Sequence, residues 1–255
     1  MNNANVQRVL GVIDTLPDPL KDLPGEVFSS GVEALAPGEL YIVGLNPMFG
    51  TAYPTIREHV ANWRFSNFSS FRHQCWNKAC WDRDCFGFQE KIPCSCDKGA
   101  SRHQKAVMSI IKRATDRAPT EIFATNALFA CSRSADTFKH DTGYSMTAAF
   151  KYYWRVHQEL LAIVRPKVII SLGYAEGASA YSFFRIMAGK QWMPIDQVRL
   201  PNRRFASYKW AQASFKIEGQ TLPVTMIGVR HPSYVQNAAD TPEFSQLVRQ
   251  RQKSY

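Results

Sequence analysis

Leu40-Tyr-Ile-Val-Gly-Leu-Asn-Pro-Met-Phe-Gly50 is the stretch around which the chain is organised. It opens as an apolar, β-branched run, the pattern of a buried parallel strand, and stops at Gly44. Asn46 follows immediately before Pro47. A residue that precedes proline is driven into extended or turn backbone. Asn46 is therefore expected on a rigid loop at the carboxyl end of a strand, the edge at which open α/β sheets bind ligands. An ordinary strand and turn would have the same local signature.

Outward from this strand, apolar periodicity marks the rest of the fold. Val6, Val9, Leu10, Ile13 and Leu16 fall at helical spacing over 4–16, and four prolines between 17 and 38 read as a wrapping loop. Residues 51–103 are polar, aromatic and cysteine-rich, expected as loop and short helix with an insertion near 62–103. A helical stripe returns over 104–117. A second strand, 121–125, delivers Asn126. The clearest helix is 145–164, with Phe150, Tyr153, Trp154, His157, Leu160, Leu161 and Val164 on one side. A third strand covers 167–172 and a further helix 174–188, while 189–211 reads as irregular and basic. Ala213–Ile217 and Leu222–Val229 flank Glu218-Gly219-Gln220 as a hairpin. The second of these strands runs into Arg230-His231-Pro232-Ser233, and Thr241-Pro242-Glu243 opens a final basic helix. Strands alternate with helices, and right-handed crossovers then require a parallel sheet covered on both faces. The expected fold is one α/β domain over 1–255, a three-layer α/β/α sandwich around a central four-stranded, mainly parallel sheet.

The chain has 255 residues, 45% hydrophobic, with 31 Lys and Arg against 21 acids and a net charge of +10. An excess of this sign points to a polyanion, with nucleic acid first. Basic residues interleave with rings, as in Trp63-Arg64-Phe65 and Tyr208-Lys209-Trp210, a composition suited to backbone neutralisation and base stacking. A merely basic soluble protein is the plainer alternative. No apolar run approaches the roughly 18 residues of a membrane span, and the first residues lack the basic and apolar regions of a signal peptide. The expectation is a cytosolic monomer with no membrane partner. Neither G-x-G-x-x-G nor a Walker loop is present, which argues against an ordinary nucleotide-binding protein.

Three strands end in polar signatures: Gly44-Leu-Asn-Pro47, Ala124-Thr-Asn126 continuing to Cys131-Ser-Arg133, and His231-Pro-Ser233. Each alone is common turn chemistry. As an ordered set, together with Val168-Ile-Ile-Ser-Leu-Gly173, they resemble the uracil-DNA glycosylase superfamily, in particular its mismatch-specific and single-strand-selective monofunctional branches. The resemblance runs from about residue 38 to 250 and leaves out the insertion. It implies base flipping into a pocket, with cleavage of the glycosidic bond of uracil or a related deaminated base in DNA and no cofactor for the chemistry. It further implies that Asn46 orients the attacking water, since an amide is no strong base. Asn126 would read the base edge, and His231 would donate to the oxyanion developing on it. Gly44 and Pro47 would shape the pocket, with Phe49, Trp63 or Phe65 stacking on the base. Ser233 would hold phosphate, Tyr234 and Val235 would fill the vacated stack, and Arg133 and Arg230 would face DNA. Met48 and Tyr234 depart from the family, which has Gly and Pro there. A glycosylase fold that grips nucleic acid or a modified base without hydrolysis is the second reading.

Cys75, Cys80, Cys85, Cys94 and Cys96 cluster in the insertion, near His73 and His103. The spacing lacks the paired C-x2-C of zinc sites. Buried thiols, a structural zinc or iron–sulfur cluster, and disulfides all remain open readings, the last disfavoured in a reducing compartment.

Overall fold

The structure is a computed structural model that describes residues 4–47, 53–76, 97–199, 206–232 and 242–253. In chain order the elements are α1 (Ala4–Asp14), α2 (Asp18–Lys21), β1 (Leu40–Gly44), α3 (Ile56–Ala61), α4 (Ser70–His73), α5 (Arg102–Ala114), β2 (Phe123–Asn126), α6 (Phe138–Thr142), α7 (Met146–Val164), β3 (Val168–Leu172), α8 (Ala180–Ala188), β4 (Met193–Val198), β5 (Tyr208–Ile217), β6 (Gln220–Val229) and α9 (Pro242–Lys253). The strands join in the order β2-β1-β3-β6-β5-β4. β1 pairs in parallel with both β2 and β3, and β3 with β6. β5 and β4 extend the sheet antiparallel beyond β6.

The sheet is therefore six-stranded and mixed, where the sequence pointed to four mainly parallel strands. Of the two strands beyond those four, β5 belongs to the hairpin expected from the sequence, whereas β4 lies in the 189–211 stretch that reads as irregular. Its residues are exposed or nearly so on both faces, so no apolar alternation marks it. β5 also begins earlier than expected, at Tyr208. The hairpin between β5 and β6 stands where expected: Glu218 and Gly219 both take positive φ (48° and 76°), the backbone of a two-residue type I′ loop.

Alternation along the strands divides the core in two. Tyr41, Val43, Phe123, Ile169, Val224 and Met226 join one apolar cluster, with the buried faces of α1, α7 and α8. Leu40, Ile42, Ala124, Val168, Ile170 and Ile227 join the other, with α5 and α9. Helices thus cover both faces of the sheet. α7 has the predicted stripe, all seven of its named residues being buried. It ends on Arg165 in the left-handed region (φ 49°) before Pro166. α8 begins only at Ala180, capped by Ser179, because Gly173 and Gly177 hold positive φ in the turn before it. Among the described residues, no helix is long and apolar enough to cross a membrane.

The described ends of the 62–103 segment are built into the core. Trp63 is buried, donates its indole N–H to Ser30 O at 3.1 Å and stacks on His59 at 4.6 Å. Phe65 packs edge-on against Trp63 at 4.9 Å. Trp63 is therefore a core residue with no face left to stack on a base.

Candidate functional site

The carboxyl ends of β2, β1, β3 and β6 share one edge of the sheet, as parallel pairing requires. β2 and β6 stand three strand spacings apart, roughly 14 Å. Their terminal side chains lean inward across that gap. Asn126 pairs with Gly44 and lays its amide over it: a Cβ at residue 44 would stand 2.5 Å from Asn126 Oδ1. From the other side, His231 rests on Gly173, where a Cβ would meet His231 Cδ2 at 3.7 Å. Asn126 thus lies over the end of β1 and His231 over the end of β3, which are neighbours.

The backbone beyond β2 is tied on both flanks. Ala127 N and Leu128 N donate to Gly44 O and Leu45 O at 2.9 and 2.8 Å, and Cys131 N to Pro24 O at 2.8 Å. His157 of α7 fixes the same corner. A carbonyl can only accept, so His157 Nε2 donates to Ala127 O (3.0 Å) and Nδ1 accepts from Tyr41 Oη (3.3 Å). His157 is fully buried, and desolvation depresses its pKa to about 4. It is a structural imidazole of the core.

Asn46 is held in one orientation by Ser132. Ser132 Oγ donates to Ser134 O at 2.9 Å, so it must accept from Asn46 Nδ2, also at 2.9 Å. Nδ2 also donates to Pro47 O at 2.8 Å. Both side-chain hydrogen bonds of Asn46 among the described residues thus use Nδ2 and leave Oδ1 as an acceptor. Ser132 is buried, and its backbone N–H donates to Pro47 O at 3.3 Å. Pro47 itself is buried and Asn46 half-buried.

His231 is half-buried, and desolvation lowers its pKa from the ordinary histidine value. Against it packs the ring of His103, with centroids 5.2 Å apart. Burial, helped by the proximity of His231, depresses His103 to about 3. His103, which the sequence places only near the cysteine cluster, sits in the first turn of α5. The capping pattern Ser101-x-x-Gln104 is the signal in the sequence that could have marked a helix start there; only the packing of α5 brings that start beside His231.

Two further predicted residues, Arg133 and Arg230, are also among those described. Arg133 is exposed and bonded to Asp141 through Nη2 at 2.6 Å and Nε at 3.2 Å, which holds that carboxyl well below the usual range. Arg230 donates its backbone N–H to Ser207 O at 2.9 Å. Burial raises the Tyr174 phenol above its ordinary value, against the smaller opposing effects of Arg230 and Arg199. Lys209 lies over the Tyr174 ring, 4.9 Å from its centroid. Arg199, Lys209 and Arg230 therefore form a basic flank on the His231 side. Cys75 is buried, and the described residues hold no group of three or more metal-type ligands. Phe49, Ser233, Tyr234, Val235, Cys80, Cys85, Cys94 and Cys96 lie outside the described residues.

One further group was not legible in the sequence. Glu26 is buried, and its Oε1 accepts from Ser29 Oγ at 2.5 Å and Ser70 Oγ at 3.4 Å. Desolvation raises its pKa to about 7 against those two hydrogen bonds. Its backbone N–H donates to Phe129 O at 2.9 Å, which sets it just beyond the end of β2. Comparison with protein-family models, with curated proteins and with solved structures returns no match.

Proposed function

We propose that this chain is a monofunctional DNA glycosylase of the uracil-DNA glycosylase kind, acting on uracil or a related deaminated base in DNA and leaving an abasic site. The finer fold belongs to the same proposal: a three-layer α/β/α sandwich on the parallel strands, widened by β5 and β4. The observation that carries the reading is that Asn46, Asn126 and His231 stand at one edge of adjoining parallel strands, with Asn126 and His231 leaning toward each other over Gly44 and Gly173.

Each residue suits its step. Asn46 Oδ1, left as an acceptor while Nδ2 bonds Ser132 and Pro47, accepts from a water and orients that water's lone pair toward the anomeric carbon. Asn126 offers both a donor and an acceptor to a base edge. His231, kept uncharged by burial, donates to the oxygen on which charge collects as the base departs. No lysine belongs to these three motifs, so nothing there forms a Schiff base and the strand is left uncut. The basic flank of Arg199, Lys209 and Arg230 neutralises phosphate.

The test is release of base from single- and double-stranded oligonucleotides that carry uracil, hypoxanthine or xanthine. The wild type leaves alkali-labile sites. Asn46→Ala and His231→Ala each slow cleavage by about 10²–10³-fold, as for loss of a transition-state hydrogen bond. Activity that survives in both variants rejects the mechanism. Met48 and Tyr234, which stand where the family has Gly and Pro, favour the binding module as second reading. Tight binding of these oligonucleotides without base release selects it.

A further inference from the structure

We propose that His103 is a positioning residue for His231, and that it fixes the plane of that imidazole through a ladder of rings rooted in the core. The inference rests on the reading of His231 as the group that faces the departing base. Four rings follow one another: Phe71, Trp76, His103 and His231, with successive centroids 5.7, 5.4 and 5.2 Å apart. Phe71 is buried in the cluster beneath α5, and Trp76 packs against the same cluster. The first three rungs are each held by something other than a neighbour in the ladder. Trp76 Nε1 donates to Gln74 Oε1 at 2.9 Å. Gln74 O accepts from Gly99 N at 3.0 Å and from Gln104 Nε2 at 2.9 Å. Gln104 is fully buried; its Nε2 also reaches Ser70 O at 2.9 Å and its Oε1 receives Ser101 N at 3.2 Å. The first turn of α5, which carries His103, is thus tied to α4 and to the loop that carries Trp76.

His231 follows the last residue of β6 by two positions, where the ladder of backbone bonds no longer restrains it. A side chain in that place has rotamers to choose from, and its alternatives are limited by what it packs against. On one side Gly173 admits the ring. On the other, His103 closes the gap with a flat surface rather than a charge. A cation there would raise the cost of protonating His231 but would also attract phosphate into the base pocket. An aliphatic side chain would leave the ring free to tilt.

His103→Ala, His103→Phe and the wild type provide the test, each as the full chain, with His231 followed by NMR titration of its ring and base release by the oligonucleotide assay. In His103→Ala the His231 pKa climbs toward the ordinary value of about 6.5 as water reaches the ring. In that variant kcat falls about 10- to 100-fold with KM little changed, the signature of lost alignment. His103→Phe restores most of both, because the ring and not its nitrogens does the positioning. A His231 titration identical in His103→Ala and the wild type overturns the inference, as does a kcat loss no larger than the loss of folded protein seen in the thermal melt. A titration shift in a wild type that releases no base leaves the positioning intact and rejects the glycosylase reading alone.

Discussion

Gly44 is the residue at which space, not chemistry, decides the outcome. Its hydrogen is what allows Asn126 to lie across β1: a methyl group there would stand 2.5 Å from the amide oxygen. The obstacle is the end of a side chain, so it can swing away at little cost to the fold. Gly44→Ala is therefore expected to melt within a few degrees of the wild type and, under the proposed glycosylase function, to raise the Kd for an oligonucleotide containing the lesion. A variant that binds as tightly as the wild type would remove Asn126 from base recognition. Asn46, Asn126 and His231 stand out in the sequence because each is a polar residue where an apolar strand ends. Ser132 lay inside a quoted motif, but its role depends on its Oγ proton being committed to Ser134 O. No pattern in the sequence announces that commitment.

At the scale of elements, α5 links the core to the site. Its stripe of Ala106, Val107, Ile110, Ile111 and Ala114 is buried against the sheet, and its first turn is closed by reciprocal bonds between Ser101 and Gln104. Ser101→Ala removes one of these and is expected to cost about 1 kcal/mol, a fall in Tm of about 2–4 °C for a chain of this size. Gln104→Ala removes two buried hydrogen bonds, to Ser70 O and Gln74 O, leaves those carbonyls only Gln74 N and Gly99 N as donors, and costs more, about 2–3 kcal/mol. Thermal melts of the two variants check the order. Helices with a broad apolar stripe, such as α7, were readable from spacing alone. β4 was not, because a strand on the open side of a sheet needs no buried face; Met193 and Ile195 remain 58% and 50% exposed. Its pairing with β5 also shifts register between Pro194 and Asp196, and a proline belongs there only because edge strands tolerate a missing N–H.

Over the whole molecule, buried titratable groups oppose one another. Folding lowers His157 to about 4. Its contribution is present above the unfolded value of about 6.5 and is lost as pH falls toward 4. His59, buried against Trp63 and depressed to about 3, acts in the same direction. Glu26 has the opposite sign: raised from 4.5 to about 7, it contributes fully below pH 4.5, and that contribution disappears as pH rises through 7. Urea unfolding should therefore find Glu26→Gln equal to the wild type near pH 5 and more stable by up to about 3 kcal/mol near pH 8. Equal stabilities at both values would place Glu26 in a wetter setting than its burial describes. The net charge of +10 was plain in the sequence, but its distribution was not. Arg8, Arg57, Arg133 and Arg249 each form an ion pair with an acid of this chain.

The place of β6 carries a consequence for how the protein is made. It is the last strand of the chain among the described residues, yet it lies inside the sheet, hydrogen-bonded to β3 on one side and β5 on the other. Until residues 220–229 leave the ribosome, the growing chain shows an unpaired β3 edge built from Val168, Ile169 and Ile170, a surface prone to pair with other chains. Joining strands so distant in sequence is also slow. Synthesis and chaperone supply, rather than the stability of the finished fold, should then limit the yield of this protein, and lowering the temperature of expression should raise the soluble fraction.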